Sequence, residues 1–139
     1  MGDVYKRQPL QDPSKIQARL EGVEELVNNF QVRDTLRELL DSTYDIERLC
    51  SKVSYGTLNG RDARAISKTL SILPELKEFL LGCNSSILQE LGEQLDTLED
   101  LYQQIEQAIV EDPPISVREG GLIRRGYDAK VDELSLIHI

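Results

Sequence analysis

Aromatic side chains are scarce in this sequence. Phe, Tyr and Trp together make up 5% of the 139 residues, and Trp is absent. Surfaces that stack nucleobases and cages that hold organic cations are built from such side chains. The composition therefore argues against a base-stacking platform and against an aromatic ligand cage.

Histidine and cysteine are also rare. The single histidine, His138, is the penultimate residue, and no cysteine or carboxylate is spaced to share a metal ion with it. Cys50 and Cys83 lie 33 positions apart. Two lone cysteines in an acidic chain are typical of buried small hydrophobic residues rather than of a disulfide or of metal ligands. We therefore predict no metal site and no disulfide.

Positive charge is missing from one long stretch. The chain has 16 Lys and Arg against 25 Asp and Glu, a net charge of −9, and no basic residue lies between Lys77 and Arg118. The acidic residues of that stretch are Glu78, Glu90, Glu93, Asp96, Glu99, Asp100, Glu106, Glu111 and Asp112. A solvated helix face and a docking surface for a basic partner are both compatible with it. Because so acidic a surface repels phosphate, we predict that the chain alone binds nucleic acid poorly.

Signals for a membrane or for catalysis are missing too. No apolar run reaches spanning length and no signal peptide is present, so we predict a soluble, cytoplasmic protein without a membrane partner. Gly56 and the Gly120-Gly121 pair lack the context of a phosphate-binding loop, and no serine has a positioned base. We therefore predict no catalytic residue, no cofactor and no enzymatic activity for this chain by itself.

Apolar residues recur at helical spacing along most of the chain. Asp12 and Pro13 predict the start of a first helix, because an acidic cap followed by proline suits the first turn. Its apolar stripe, which needs a partner surface, consists of Ile16, Leu20, Val23, Val27 and Phe30. Pro74 predicts a kink or a helix boundary, and Gly82 a left-handed helix end. The pattern predicts an all-α fold, an irregular helical bundle.

A change of pattern follows the last long periodic segment. That segment steps by threes and fours through Leu95, Leu98, Leu101, Tyr102, Ile105 and Ile109, and should end before Pro113 and Pro114. A short turn or hairpin is predicted near 115–126, where Gly120, Gly121 and Gly126 permit a reversal. Asp128 then predicts the cap of a new helix. We treat Pro113, Pro114, Gly120, Gly121, Gly126 and Asp128 as candidate structural junction residues.

Four stretches resemble the core region of the MutS family of bacterial DNA mismatch repair proteins. They are RLEGVEELVNNF (19–30), YDIERLCSKVSYG (44–56), NGRDARAISKTLSILPELKEFL (59–80) and AIVEDPPISVREGGLIRRGYDAKVDEL (108–134). The last stretch is the most specific, because the family carries a similar run at the junction between its helical core and a long lever helix. The resemblance covers roughly residues 9–134.

The resemblance implies a structural role for this chain. It implies that residues 9–127 form a helical core and that 128–134 begin the lever, a hub that couples an ATPase to a DNA clamp. It also implies that the complete protein binds mismatched double-stranded DNA, a second MutS subunit and downstream repair factors, and uses ATP and Mg²⁺ in an ATPase domain that this chain lacks. No residue of this chain is thereby assigned to DNA or nucleotide.

The two ends depart from the family pattern. MGDVYKRQ stands at residues 1–8 and SLIHI at 135–139, and we expect a non-native leader and a non-native tail there. The competing hypothesis is a free-standing acidic helical module for protein–protein interaction, with 84–112 as its docking face.

Overall fold

Helices dominate the structure, as the periodicity predicted. The computed structural model describes residues 8–137, with the side chain of Ile137 left out. Most of the predicted leader therefore lies outside the described residues, as does His138. Residues 8–137 form eight α-helices and one 3₁₀ turn, namely α1 Pro13–Asn28, α2 Phe30–Asp41, α3 Ile46–Ser54, α4 Gly60–Ser71, α5 Leu73–Leu81, α6 Ser86–Gln94, α7 Glu99–Ala108, the turn Val117–Glu119 and α8 Ala129–Ile137. The predicted all-α class is confirmed.

Several helix boundaries follow the predicted chemistry. Asp12 caps α1, since its Oδ1 accepts from the Ser14 amide at 2.9 Å, and Pro13 stands in the first turn. Asn59 accepts from the Asp62 amide at 2.8 Å while Asp62 accepts from the Asn59 amide, a reciprocal capping box that begins α4. Pro74 falls in the first turn of α5, and the predicted boundary is confirmed.

The predicted continuous pattern from Leu95 to Ile109 is wrong at both ends. Asp96 Oδ1 accepts from the Leu98 amide at 3.0 Å, and Leu98 adopts a left-handed backbone with φ 48° and ψ 41°, so α7 begins only at Glu99. The helix then ends at Ala108, ahead of Pro113 and Pro114, because Ile109 is extended and pairs with Ile123.

Two other expectations also fail. Gly82 follows the end of α5 but does not have a positive φ. Its amide donates to Glu78 O at 3.1 Å and to Phe79 O at 3.2 Å, which closes the helix without a left-handed residue. Cys83 is buried as predicted, whereas Cys50 is exposed, because the buried position of α3 is taken by its neighbour Leu49.

The described residues fall into two compact units. In the first, residues 8–40 and 75–95, α1 packs on α6 at Gly22, where an added Cβ would stand 2.6 Å from Ile87 Cγ2. Glu25 ties the same helices together, accepting from the Asn84 and Ser85 amides at 2.7 Å each. Leu76, Leu80 and Leu88 supply its buried apolar side chains.

The stripe predicted on α1 is not the face that packs. Leu20, Val23 and Val27 are all more than half exposed, and the buried residue of the helix is Gly22. Phe30 is not on that helix at all, because the chain becomes extended at Asn29 before α2 begins.

The second unit, residues 41–74 and 96–137, packs α4 against α3 and α7. Leu49 of α3 and Leu70 of α4 are its most deeply buried apolar side chains. Lys52 Nζ donates to Asp62 Oδ1 at 2.8 Å, which joins α3 to the start of α4. This unit carries the candidate junction.

A candidate junction site before the last helix

All six predicted junction residues lie between the end of α7 and the start of α8. Pro113 is buried and Pro114 half-buried in the segment that leaves α7. The glycines flank the two sides of the segment that returns toward α8, and Asp128 immediately precedes that helix. The predicted helix end at the prolines is wrong, because α7 has already stopped at Ala108.

A single antiparallel bridge closes the loop between α7 and α8. Ile109 pairs with Ile123, the Val110 amide donates to Leu122 O at 3.0 Å, and the Arg124 amide donates to Ala108 O at 2.8 Å. The Arg124 side chain strengthens the closure, since its Nε donates to Ile109 O at 2.8 Å. The predicted hairpin near 115–126 thus exists as a turn whose return arm pairs upstream with 108–110.

The turn itself requires glycine. Gly120 has φ 74° and ψ −178°, a region that residues with a Cβ scarcely enter, and Gly121 has φ 71°. The preceding 3₁₀ turn is held by a capping box, in which Ser116 accepts from the Arg118 amide and Glu119 accepts from the Ser116 amide. The predicted reversal at these glycines is confirmed.

Two aspartates fix the first turn of α8. Asp128 Oδ1 accepts from the Lys130 amide at 2.9 Å and from the Val131 amide at 3.1 Å, as an N-cap does. Asp132 reaches back, its Oδ2 accepting from the Gly126 amide at 2.7 Å. Gly126 has φ 87°, which places its amide toward the helix start. The direction in which α8 leaves is therefore set by hydrogen bonds on both sides of Tyr127.

The returning segment rests on the start of α4. A Cβ on Gly60 would overlap Leu122 Cδ1 and stand 2.7 Å from Pro113 Cβ. The neighbouring Arg61 donates from Nε to Pro113 O at 3.4 Å. A glycine at the first position of α4 therefore admits both the outgoing and the returning strands of the junction.

Glu106 joins α7 to α4. Its Oε1 accepts from Arg64 Nη1 at 2.7 Å and from the fully buried Ser67 hydroxyl. The Ser67 hydrogen bond, with the Arg64 guanidinium beside it, lowers the pKa of Glu106 against the opposing effect of burial. The α7 end of the junction is thus anchored to the bundle by a charged group.

An open cleft of about 670 Å³ lies beside this anchor. The cations on its wall equal the anions in number, the two sets being Arg48, Arg61, Arg64 and Lys68, and Asp62, Glu106, Glu111 and Asp112. Since Arg64 is already paired with Glu106, the wall presents no excess of positive charge to a polyanion.

Five residues of the site were not predicted from sequence. Gly60, Arg64, Ser67, Glu106 and Arg124 act over separations of 15 to 62 positions, as in Arg124–Ile109 and Gly60–Leu122. The Asn-Gly dipeptide marked Gly60 only as part of a loop, and Arg64 and Glu106 were two charges among many. Asp132 alone carried a local signal, as an acidic residue in the first turn of a capped helix.

Among residues 8–137, no group of three or more His, Cys, Asp or Glu side chains is placed to hold a metal ion. In the same part of the chain, no helix combines the length and apolar character needed to cross a bilayer.

Fold and junction together define a class, an all-α structural domain whose bundle sets the direction of a departing helix. The family model described as MutS domain III matches residues 7–137, and the chain belongs to that family. Domain III is not the ATPase domain of MutS proteins.

Relatives carry the same family name. The protein is 46% identical to the DNA mismatch repair protein MutS of Halothermothrix orenii over 127 residues, which cover 91% of this chain. It is 45% identical to that of Caldicellulosiruptor bescii over 126 residues, also 91% of the chain, and 44% identical to that of an Exiguobacterium species over 136 residues, 96% of the chain. The matched parts are 14%, 15% and 16% of these relatives' lengths.

Proposed function

We propose that this chain serves as the helical core of a DNA mismatch repair protein several times its length. In that protein it couples an ATPase to a DNA clamp and has no activity of its own. Family membership and the small share of each relative's length that the chain matches support this role.

The geometry that carries the proposal is the continuous path of polar contacts from α4 to α8. Glu106 ties α7 to α4, the Ile109–Ile123 bridge ties the end of α7 to the returning segment, and Asp128 ties that segment to α8. Each tie is a directional hydrogen bond, so a rotation of α4 would be passed to the axis of α8. A hub that orients a lever needs such a path.

The other properties of the proposed protein belong to parts beyond this domain. We propose that the whole protein acts in the bacterial cytoplasm on mismatched double-stranded DNA, pairs with a second subunit and meets downstream repair factors. ATP and Mg²⁺ would be used by its ATPase domain. Within residues 8–137 we assign no contact to any of these partners.

A graft tests the proposal in a working protein. Residues 7–137 would replace the matched segment of the Halothermothrix orenii relative, which is 46% identical. We expect the chimera to bind a mismatched duplex and release it on addition of ATP, to within roughly tenfold of the parent, since the segment keeps its own internal contacts. A folded chimera without mismatch binding would favour the free-standing acidic module instead.

Variants at the junction within that chimera test the coupling. Gly126→Pro removes the amide that Asp132 accepts from and imposes a φ near −65° where the chain has 87°. Asp128→Ala removes the cap of α8, at a cost of about 1 kcal/mol to that helix. We expect both to weaken DNA binding and ATP-triggered release.

The matched control is Asp128→Asn, which retains an acceptor at the cap position. It should behave like the unmutated chimera. Equal binding and release by the Ala, Asn and Pro variants would show that the junction does not transmit motion.

A further inference from the structure

The apolar stripe on α1 has no cover within the described part of its unit. Leu20 and Val23 are each 56% exposed and Val27 is 61% exposed, while Ile16 is 38% exposed. Exposed large apolar side chains are ordinary when scattered, but four aligned on one helix form a contiguous face.

The opposite face of the same helix is already occupied. At 100° per residue, Gly22 and Glu25 lie about 130–170° around the helix from the centre of the stripe. These two residues make the close contact and the hydrogen bonds to α6. The stripe therefore points away from the packed side of α1.

The spacing of the stripe is that of a coiled-coil seam. Ile16, Leu20, Val23 and Val27 are separated by four, three and four positions. Such alternation places them at successive d, a, d and a positions of the heptad, where side chains of one helix insert between those of another. The helix is straight-chain sequence from Pro13 to Asn28, so the register is unbroken.

The residues beside the seam choose a partner and an orientation. Arg19 falls at a g position and Glu24 at the e position five residues later. In a parallel pair of helices, g of one chain meets the following e of the other, so a second copy would form two equivalent Arg19–Glu24 ion pairs. An antiparallel pair would instead set Arg19 beside Leu26 and Glu24 beside Gln17, with no opposite charges matched.

We propose that α1 is a self-association helix through which two copies of this chain pair in parallel. Ile16, Leu20, Val23 and Val27 form the seam, and Arg19 of each copy binds Glu24 of the other. With about four heptad positions per chain the seam is short, and the dimer is correspondingly weak and concentration-dependent.

Sedimentation equilibrium of the complete 139-residue chain tests the seam. The wild-type chain should pass from monomer to dimer as its concentration rises from about 5 to 500 µM, a range that brackets weak association. Val23→Asp should remain monomeric throughout. Leu134→Asp is the matched control, since Leu134 of α8 is also 56% exposed, and it should dimerise like the wild type.

Charge exchange tests the register. Arg19→Glu and Glu24→Arg each place like charges together, and each should raise the dimer Kd roughly three- to tenfold. The double variant R19E/E24R restores the pairs and should return the Kd to within about twofold of wild type. Circular dichroism confirms that each variant retains its helices.

Three results would overturn the proposal: a wild-type chain that stays monomeric, a Leu134→Asp variant that loses the dimer equally, or a double variant no better than the single ones. A cysteine probe adds the orientation, because Ile16→Cys in a Cys50→Ser background should form an intermolecular disulfide only in the parallel pair. None of these outcomes bears on the graft, which leaves the proposed repair function to be judged separately.

Discussion

The two compact units close their helices with the same pair of devices. In each, a glycine allows the closest approach and a glutamate supplies the tie, Gly22 with Glu25 in one unit and Gly60 with Glu106 in the other. They differ in where the apolar face goes. Leu49 of the second unit is buried to 2% exposure, whereas the apolar stripe of α1 in the first unit stays in solvent.

The difference shows that an amphipathic pattern specifies a helix but not its contact face. In α1 the packed side is chosen by a missing side chain at Gly22 and by two amides that need an acceptor, Asn84 and Ser85. Those amides precede α6, which has no side-chain cap of its own. The apolar stripe is then left over, and so remains available to a second copy.

Truncation of one apolar side chain in each unit should give the largest contrast. Leu49→Ala removes a fully buried side chain and should lower the free energy of unfolding by about 3 kcal/mol. Val27→Ala, at 61% exposure, should change it by less than about 0.5 kcal/mol. Urea unfolding at low protein concentration, where association is negligible, measures both. Equal losses would mean that α1 is covered in solution.

Most of the fold could be predicted from local signals. Asp12, Asn59 and Pro74 act within one turn of the helices they begin, so sequence alone located those boundaries. Leu98 could not be predicted, because its left-handed backbone depends on one hydrogen bond to Asp96 that competes with an otherwise regular helical pattern.

The junction was predicted in its turns and missed in its anchors. Gly120, Gly126 and Asp128 carry their geometry in their residue types, since positive φ favours glycine and helix starts favour aspartate. Glu106 and Gly60 matter only because the chain returns to them from 39 and more positions away, and a single sequence has no record of that distance.

Adding one methyl group at the tight glycine should give the next largest effect. Gly60→Ala forces Pro113 and Leu122 away from α4, and we expect a loss of about 2 kcal/mol in unfolding free energy. Gly82→Ala is the control, because its Cβ would meet nothing closer than Phe79 O at 3.4 Å and its φ is not positive. It should be neutral or stabilising by up to about 1 kcal/mol.

Thermal unfolding followed by circular dichroism separates these two glycines. If both alanine variants melt with the wild type, the close approach of Pro113 to α4 is not needed for the fold. If Gly82→Ala alone is destabilised, the helix end at α5 rather than the junction limits stability.

The smallest contrast lies in the acid response of the two glutamates. Hydrogen bonds, from Ser67 and Arg64 to Glu106 and from the Asn84 amide to Glu25, lower the pKa of each carboxyl below its ordinary value of 4.5. Each folded carboxylate therefore holds fewer protons than its unfolded counterpart, so its stabilisation is present above pH 4.5 and is lost as the pH falls through the folded pKa.

Replacing either carboxyl by an amide should flatten this response. Glu106→Gln and Glu25→Gln should each reduce the fall in unfolding free energy between pH 5 and about 3, and the two effects should add, because the two groups share no partner. Urea unfolding across that range measures the slope. Glu106→Gln should also cost stability at pH 7, where an amide accepts less strongly from Arg64 than a carboxylate does. An unchanged slope in both variants would mean that the two ties form with the same strength whether or not the carboxyl is charged.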